Sequence, residues 1–366
     1  MTERKVLTGI SIIIVICMIL GAGCLYSFDS DHAVSSDSSS PVGAGSPNME
    51  PVITTDYCSP ITITQTDGTQ ITLSCHPERI IVANANAAEM MIAIGAGDKI
   101  VGVTQSTTNV SYIMDKIPQA ENIGDWQIPN VEKILSLHPD LVIAYASSKP
   151  KNIDQLAAAN ITVVYLDCFR LSTLASDARA LGSLTGRSNE AEVYARTVED
   201  TIAGVVMRVK KIPSTEYPRI YSEMYSDYTV SGPDSGSDEQ LTLAGGKNIA
   251  SDVTTSSAKI STEWVIARQP EFIIKVVAST NMMPFPDILA SLKSRSGWNE
   301  IPAVKNDRVY LISNDVQYGP RAYIGLVYMA QLLHPNEFRD LHPRAMLDEY
   351  AGRYVSGTNK TGMIYP

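Results

Sequence analysis

The sequence lacks the signatures of several kinds of chemistry. Its five histidines, His32, His76, His138, His334 and His342, are scattered with no paired spacing. No CxxC, HExxH, GxSxG elbow or P-loop occurs. Zinc hydrolysis, serine acyl transfer and nucleotide-driven chemistry therefore have no motif to run on. Gly95-Ala96-Gly97 opens like a dinucleotide turn, but Ile100 stands where a third glycine belongs. Positive charge is short too: Lys plus Arg is 29 against 39 Asp plus Glu, a net charge of −10. That removes the basic face a general nucleic-acid binder needs. Phenylalanine is scarce at 5, while tyrosine reaches 17, so the aromatic surface keeps a polar edge. With 44% hydrophobic and 19% charged residues, the chain can bury a core and is not globally disordered. Its 366 residues suit two domains.

The first 24 residues carry Arg4 and Lys5, then an apolar run from Val6 to Leu20, then Gly21-Ala22-Gly23 before Cys24. This is the layout of an export signal. It resembles a lipoprotein signal, in which Cys24 is lipidated; Gly21 departs from the usual leucine-like residue. An uncleaved membrane anchor is the alternative. Either way the body is expected outside the cytoplasm, held to the outer face of the cell membrane. Residues 25–55 are rich in Ser, Pro and Gly and read as a disordered tether. Cys58 and Cys75 flank ITITQTDGTQITLS, whose alternation around Asp67-Gly68 predicts a hairpin. The hairpin brings the two sulfurs near each other, and export permits a disulfide, with two free thiols as the other reading. Cys168 is expected to be a buried core residue.

Beyond the hairpin, short apolar runs alternate with helical patterns. Strands are expected at Arg79–Ala83, Lys99–Val103, Leu141–Ala144 and Val163–Leu166, with helices at Glu89–Ile94, Val131–Leu137 and Ile153–Ala159. The alternation predicts an α/β fold with a mostly parallel sheet covered on both faces. A long helix follows over Ser188–Lys211, its stripe formed by Tyr194, Val198, Ile202, Val205 and Val209. Ser188 is a candidate cap and Pro213 a stop. The rhythm restarts with strands at Arg219–Tyr221, Phe272–Val276 and Val309–Ile312, and helices around Val265–Ala267 and Tyr323–Leu333. The expected layout is therefore 1–24 signal, 25–55 tether, 56–187 first lobe, 188–211 interlobe helix, 212–355 second lobe and 356–366 tail.

The second half echoes the first. NVEKILSLHPDLVIA, from Asn130, aligns with STEWVIARQPEFIIK, from Ser261, at a constant offset of 131. Glu132 meets Glu263, Pro139 meets Pro270 and Asp140 meets Glu271. A weaker echo pairs AIGAGDKIVG with TLAGGKNIAS. This is a duplicated α/β unit. Two such lobes leave a cleft, because ligands of open parallel sheets sit beyond the carboxyl ends of the strands. An acid in a helix's first turn also simply favours the helix dipole.

From Arg79 to Phe338, about 70% of the chain, the sequence resembles the substrate-binding proteins of ABC importers for cobalamin and iron-siderophores. The segments carrying the resemblance are RIIVANANAAEMMIAIGAGDKIVGV, NVEKILSLHPDLVIA, GGKNIA, STEWVIARQPEFII and SGWNEIPAVKNDRVYLI. The resemblance implies two Rossmann-like lobes joined by one rigid helix, with the ligand in the cleft between them. It implies that Glu132 and Glu263 dock on an ABC permease dimer driven by a cytoplasmic ATPase. The expected cargo is a metal chelate, a ferric siderophore or related iron complex first and cobalamin second, with no intrinsic cofactor and no metal site of the protein's own. GDWQIPNVEKI, from Gly124, is similar to the cobalamin-binding members and places Trp126 at the cleft. Candidate ligand contacts are Trp126, Asn84, Asn86, Tyr225, Tyr228, Tyr318, Arg321 and Tyr323. Arg321 is suited to a carboxylate or catecholate, or to pairing with an acid of the protein. Met282 and Met283 are assigned to core or loop packing, with contact to a haem-like ligand as the other reading. The expected form is a monomer that binds no nucleic acid and is no enzyme. A two-lobed metal-chelate enzyme and a non-transport surface lipoprotein are the readings of a different class.

Overall fold

The computed structural model describes residues 59–278, 283–355 and 364–365. The export segment with Cys24, the tether, Cys58 and Met282 lie outside the described residues. Among those described, no helix is long and apolar enough to cross a membrane.

The expected hairpin forms from β1 (Ile61–Thr64) and β2 (Gln70–Leu73), paired antiparallel. Gly68 takes φ +84° in its turn, a conformation open to glycine. Cys75 is disulfide-bonded. The parallel sheet of the first lobe contains β3 (Ile80–Val82), β4 (Ile100–Val103), β5 (Glu121–Asn122), β6 (Leu141–Ala144) and β7 (Thr162–Tyr165), in the order β5-β4-β3-β6-β7. All four residues of β6 are buried, which is why its sequence is a continuous apolar run rather than an alternation. Successive residues of β3 feed different clusters: Ile80 and Val82 join the large core, and Ile81 the smaller one on the other face. The covering helices are α1 (Ala85–Ala93), α2 (Gln105–Thr108), α3 (Ser111–Met114), α4 (Val131–Ser136) and α5 (Asp154–Ala158).

Two helices then form a hairpin, α6 (Leu174–Thr185) and α7 (Ser188–Val209). The sequence reading recognised only the second. Gly186 closes α6 in the left-handed conformation, and the cap of α7 is Arg187 rather than Ser188, without a side-chain bond. At 22 residues α7 is about 33 Å long. It buries Ala191, Tyr194, Ala195, Val198, Val205 and Val209, so it is packed along one face.

The second lobe has β8 (Arg219–Glu223), β9 (Thr229–Ser231), β10 (Lys247–Asn248), β11 (Ser257–Lys259), β12 (Phe272–Val277), β13 (Val309–Ser313) and β14 (Ile364–Tyr365). The order is β11-β9-β8-β12-β13-β14, with β10 also on β8. The central pairs β8–β12 and β12–β13 are parallel, while β9, β11 and β14 add antiparallel edges. Its helices are α8 (Gly236–Leu243), α9 (Thr262–Arg268), α10 (Phe285–Lys293), α11 (Pro302–Lys305), α12 (Asn314–Gln317), α13 (Ala322–Leu333) and α14 (Pro343–Tyr350). One buried cluster runs from Ile80 and Leu141 through Tyr194 and Val198 to Leu326 and Tyr350, joining both lobes around α7.

The duplication extends to hydrogen bonding. Asn130 caps α4 by accepting from Lys133 N, and Ser261 caps α9 by accepting from Trp264 N. His138 and Gln269, 131 residues apart, both take positive φ, +47° and +44°. Asp140 accepts from Arg79 N at 2.9 Å, and Glu271 accepts from Arg219 N at 3.0 Å. Each acid thus ties the start of its strand to the neighbouring strand, which explains its recurrence.

The α6–α7 hairpin depends on close approach at Gly182. A Cβ there would lie 2.3 Å from Ala191 Cβ and 2.9 Å from Arg187 O. Gly182→Ala is expected to cost about 1–3 kcal/mol by overpacking. The urea midpoint measures this, and an unchanged midpoint would show that the helices can separate freely.

Candidate functional site

The strands of both sheets end at one cavity of about 690 Å³. Ala83 follows β3, Thr104 follows β4, Tyr145 follows β6, Met224 and Tyr225 follow β8, and Asn314 and Asp315 follow β13. This is the crevice beyond the strands' carboxyl ends that open α/β sheets use for ligands.

Four rings form a row along the cavity. Trp126 meets Tyr145 edge-on at 5.6 Å, Tyr145 meets Phe169 at 6.3 Å, and Phe169 meets Tyr318 at 6.3 Å. The row starts in the first lobe and ends in the second. Each contact is close to T-shaped, so the rings support one another while leaving atoms exposed to the cavity. Tyr318 is fixed at its far end by Ser237, whose hydroxyl lies 2.8 Å from the phenol oxygen.

The cavity floor is ionic. Glu89 of α1 receives Arg321 Nε at 2.8 Å and a second guanidinium nitrogen at 2.7 Å. The hydroxyls of Tyr112 and Tyr350 also donate to Glu89, each at 2.9 Å. The same guanidinium contacts Tyr112 and lies 3.8 Å from Asp315. Glu89 is 4% exposed and Arg321 2%. Burial alone would lower the Arg321 pKa; Glu89, Tyr112 and Asp315 outweigh it, leaving the guanidinium well above its ordinary value. Burial, followed by the charge of Glu89, pushes the phenols of Tyr112 and Tyr350 well up, so both remain donors.

The loops behind the rings are anchored by buried acids. Asp167 accepts from Ala146 N and Ser147 N, at 2.8 and 3.0 Å, placing the loop after Tyr145. Asp177 of α6 accepts from Cys168 N at 2.9 Å and from Thr66 Oγ1 at 2.8 Å, placing Phe169. Cys168 itself is buried and free, with its thiol pKa pushed well up by burial. In the second lobe Lys275 donates to Glu223 at 2.6 Å and to the carbonyls of Met224 and Tyr225 at 3.3 and 3.4 Å, holding the loop that presents Tyr225.

Of the residues singled out from sequence, Trp126, Asn86, Tyr225 and Tyr318 line the cavity. Four do not. Asn84 caps α1 and donates to the carbonyls of Leu166 and Asp167, so its side chain is used up tying β3 to β7. Arg321 lies behind the floor in its ion pair with Glu89. Tyr228 packs on Trp298 beneath Arg295. Tyr323 is buried against Tyr194. Met283 is exposed and not in the lining. The reading missed Glu89, Tyr112, Tyr145, Phe169, Arg170 and Asp315. Tyr145 and Asp315 could have been found by looking just past strand ends; Glu89 and Tyr112 carry no such signal. Glu132 and Glu263 both project from exposed first turns, of α4 and α9. Bonds from its own N–H and from Ser261 hold the Glu263 carboxyl below its ordinary range.

A family model described as periplasmic binding protein matches residues 80–316. The uncharacterized ABC transporter substrate-binding lipoprotein YvrC of Bacillus subtilis is 30% identical over 290 residues, covering 77% of this chain and 88% of that one. The cobalamin-binding protein of Halobacterium salinarum is 28% identical over 292 residues, covering 76% and 75%. A periplasmic solute binding protein from Veillonella parvula superposes with a TM-score of 0.67 at 22% identity, covering 84% of this chain and 97% of that one, and so shares the fold.

The support of Phe169 by Asp177 carries a pH signature. Burial raises the Asp177 pKa to about 6. A carboxyl whose folded pKa exceeds its unfolded value binds its proton more tightly when folded. Its contribution therefore favours the fold at low pH and is lost as pH rises from about 4 through 6, by roughly 2–3 kcal/mol. Asp177→Asn is expected to flatten the change in urea midpoint between pH 4.5 and 7.5 relative to wild type. Parallel pH profiles for the two proteins would contradict this assignment.

Proposed function

The chain belongs to the periplasmic binding protein family, and from that premise we propose that it captures a corrinoid in the interlobe cavity and delivers it to an ABC permease. The family and the relatives are solute-binding proteins rather than enzymes. The observation that carries the ligand class is the lining itself. A row of four aromatic rings faces a cavity whose only cation among the described lining residues is Arg170. Glu89 and Asp315 share the floor with one guanidinium behind it. Such a surface suits a broad, ring-rich and weakly charged ligand and disfavours a multiply anionic chelate. No histidine or cysteine lines the cavity among the described residues, so a metal would arrive within its own chelator. The kinship with a protein named as cobalamin-binding points the same way. This reverses the order expected from sequence, which placed a ferric siderophore first.

Delivery rests on Glu132 and Glu263. They occupy equivalent first turns of the duplicated unit, exposed and without an ion-pair partner among the described residues. Two matched carboxylates, one per lobe, fit a permease dimer presenting two matched basic sites. The lipid or anchor at the N-terminus, with Cys24 as the lipid site, would hold the protein at the outer face of the membrane near that partner.

Titration of the purified protein with cobalamin, a ferric siderophore and haem, read by Trp fluorescence, tests the ligand. Cobalamin is expected to bind at micromolar concentration or below, and Trp126→Ala to weaken it several-fold. Tighter binding of the siderophore or haem overturns the corrinoid reading. Binding of none overturns capture altogether. For docking, Glu132→Ala with Glu263→Ala is expected to abolish uptake by the cognate permease while ligand affinity stays unchanged; undiminished uptake would remove both residues from the interface.

A further inference from the structure

Arg170 is the one cation in the described lining of the cavity, and no described residue pairs with it. Its guanidinium makes no ion pair or hydrogen bond among the described residues; its one recorded contact is the Phe169 ring, 5.7 Å from the ring centre. Every other charged side chain at the cavity belongs to the Glu89–Arg321–Asp315 group. The Arg170 backbone is well held. Asp177 accepts from Cys168 N at 2.9 Å on one side. On the other, Glu239 of α8 accepts from Leu171 N at 3.1 Å and Ser172 N at 2.8 Å, reaching across from the second lobe. An arginine whose backbone is anchored on both flanks, half-buried beside an aromatic row, is placed in advance for an anion, so little ordering is lost on binding.

The charges at the cavity are also separated. The floor holds two carboxylates against one guanidinium and repels an anion, while Arg170 offers the single attractive position. On the corrinoid reading above, we propose that Arg170 is a specificity-determining residue. It receives the one anionic side-chain group of a corrinoid, the phosphodiester of its nucleotide arm, and so ranks phosphate-bearing corrinoids above phosphate-free ones. The ring row would hold both kinds of ligand, and Arg170 would distinguish them through charge-assisted hydrogen bonds. The acidic floor fixes the orientation, because the phosphodiester has only one favourable side to face.

The test compares cobalamin, which carries the phosphodiester, with dicyanocobinamide, which lacks it, on full-length wild-type, Arg170→Gln and Arg170→Lys proteins by isothermal titration at two salt concentrations. Wild type is expected to prefer cobalamin by about tenfold, with the preference shrinking in high salt. Arg170→Gln should lose about tenfold for cobalamin, change little for dicyanocobinamide and show no salt-dependent preference. Arg170→Lys should restore part of it. Equal weakening of both ligands, or of neither, overturns the assignment while leaving the corrinoid reading intact. Binding of neither ligand by wild type overturns the corrinoid reading and the assignment with it.

Discussion

The buried pair between Glu89 and Arg321 is the constraint on which the arrangement of the molecule rests. Its partners are 232 residues apart, one in α1 of the first lobe and one at the start of α13 in the second. Taking each charge out of water costs several kcal/mol, so neither could be buried without the other. Removing either one would leave an uncompensated charge, at a cost of about 3–5 kcal/mol. The Tyr112 and Tyr350 hydroxyls occupy further acceptor positions of the carboxylate. A wide rotation of one lobe on the other would have to break the Arg321 and Tyr350 bonds to Glu89 together. The lobes are therefore held at one spacing, and that spacing is the cavity.

The same seam explains the excess of tyrosine. Tyr194 donates to the carbonyl of Pro320 and packs on Tyr323 and Tyr354. Tyr350 packs on Tyr354 at 5.0 Å while donating to Glu89. Phenylalanine would fill these places but would leave the Pro320 carbonyl without this donor and take one donor from the buried Glu89 carboxylate. Tyrosine supplies both the apolar surface and the donor, in a region where helices of both lobes meet.

Much of the fold was legible because it is written in local interactions. The apolar runs of β6 and β12 and the turn at Asp67-Gly68 each act within a few residues of themselves. The repeat was legible for the same reason, since Asp140 and Glu271 do the same job in each lobe. Helix α6 was not. Its sequence, LASDARALGSLT, is rich in small residues, because Ala175, Ala178 and Gly182 let it lie close to its neighbours. A helix whose core face is made of small side chains presents little hydrophobic contrast to read.

The candidate site divides along the same line. The strand-end rule led to the right crevice and to Asn86 and Tyr225, and the family resemblance led to Trp126. The rule did not separate Asn84 from Asn86, two residues apart: one turns back to cap a helix, the other faces the cavity. Nor did it show that Arg321 faces an acid of the protein. The amino-acid sequence by itself determined the central strands, the long helix, the duplication, the two matched glutamates and the class of fold, since periodicity and turns are settled between near neighbours. Only the tertiary structure decided which arginine is paired and which is free. The environment of a charge depends on whichever distant element covers it, and no short stretch of sequence around Arg170 or Arg321 contains that element.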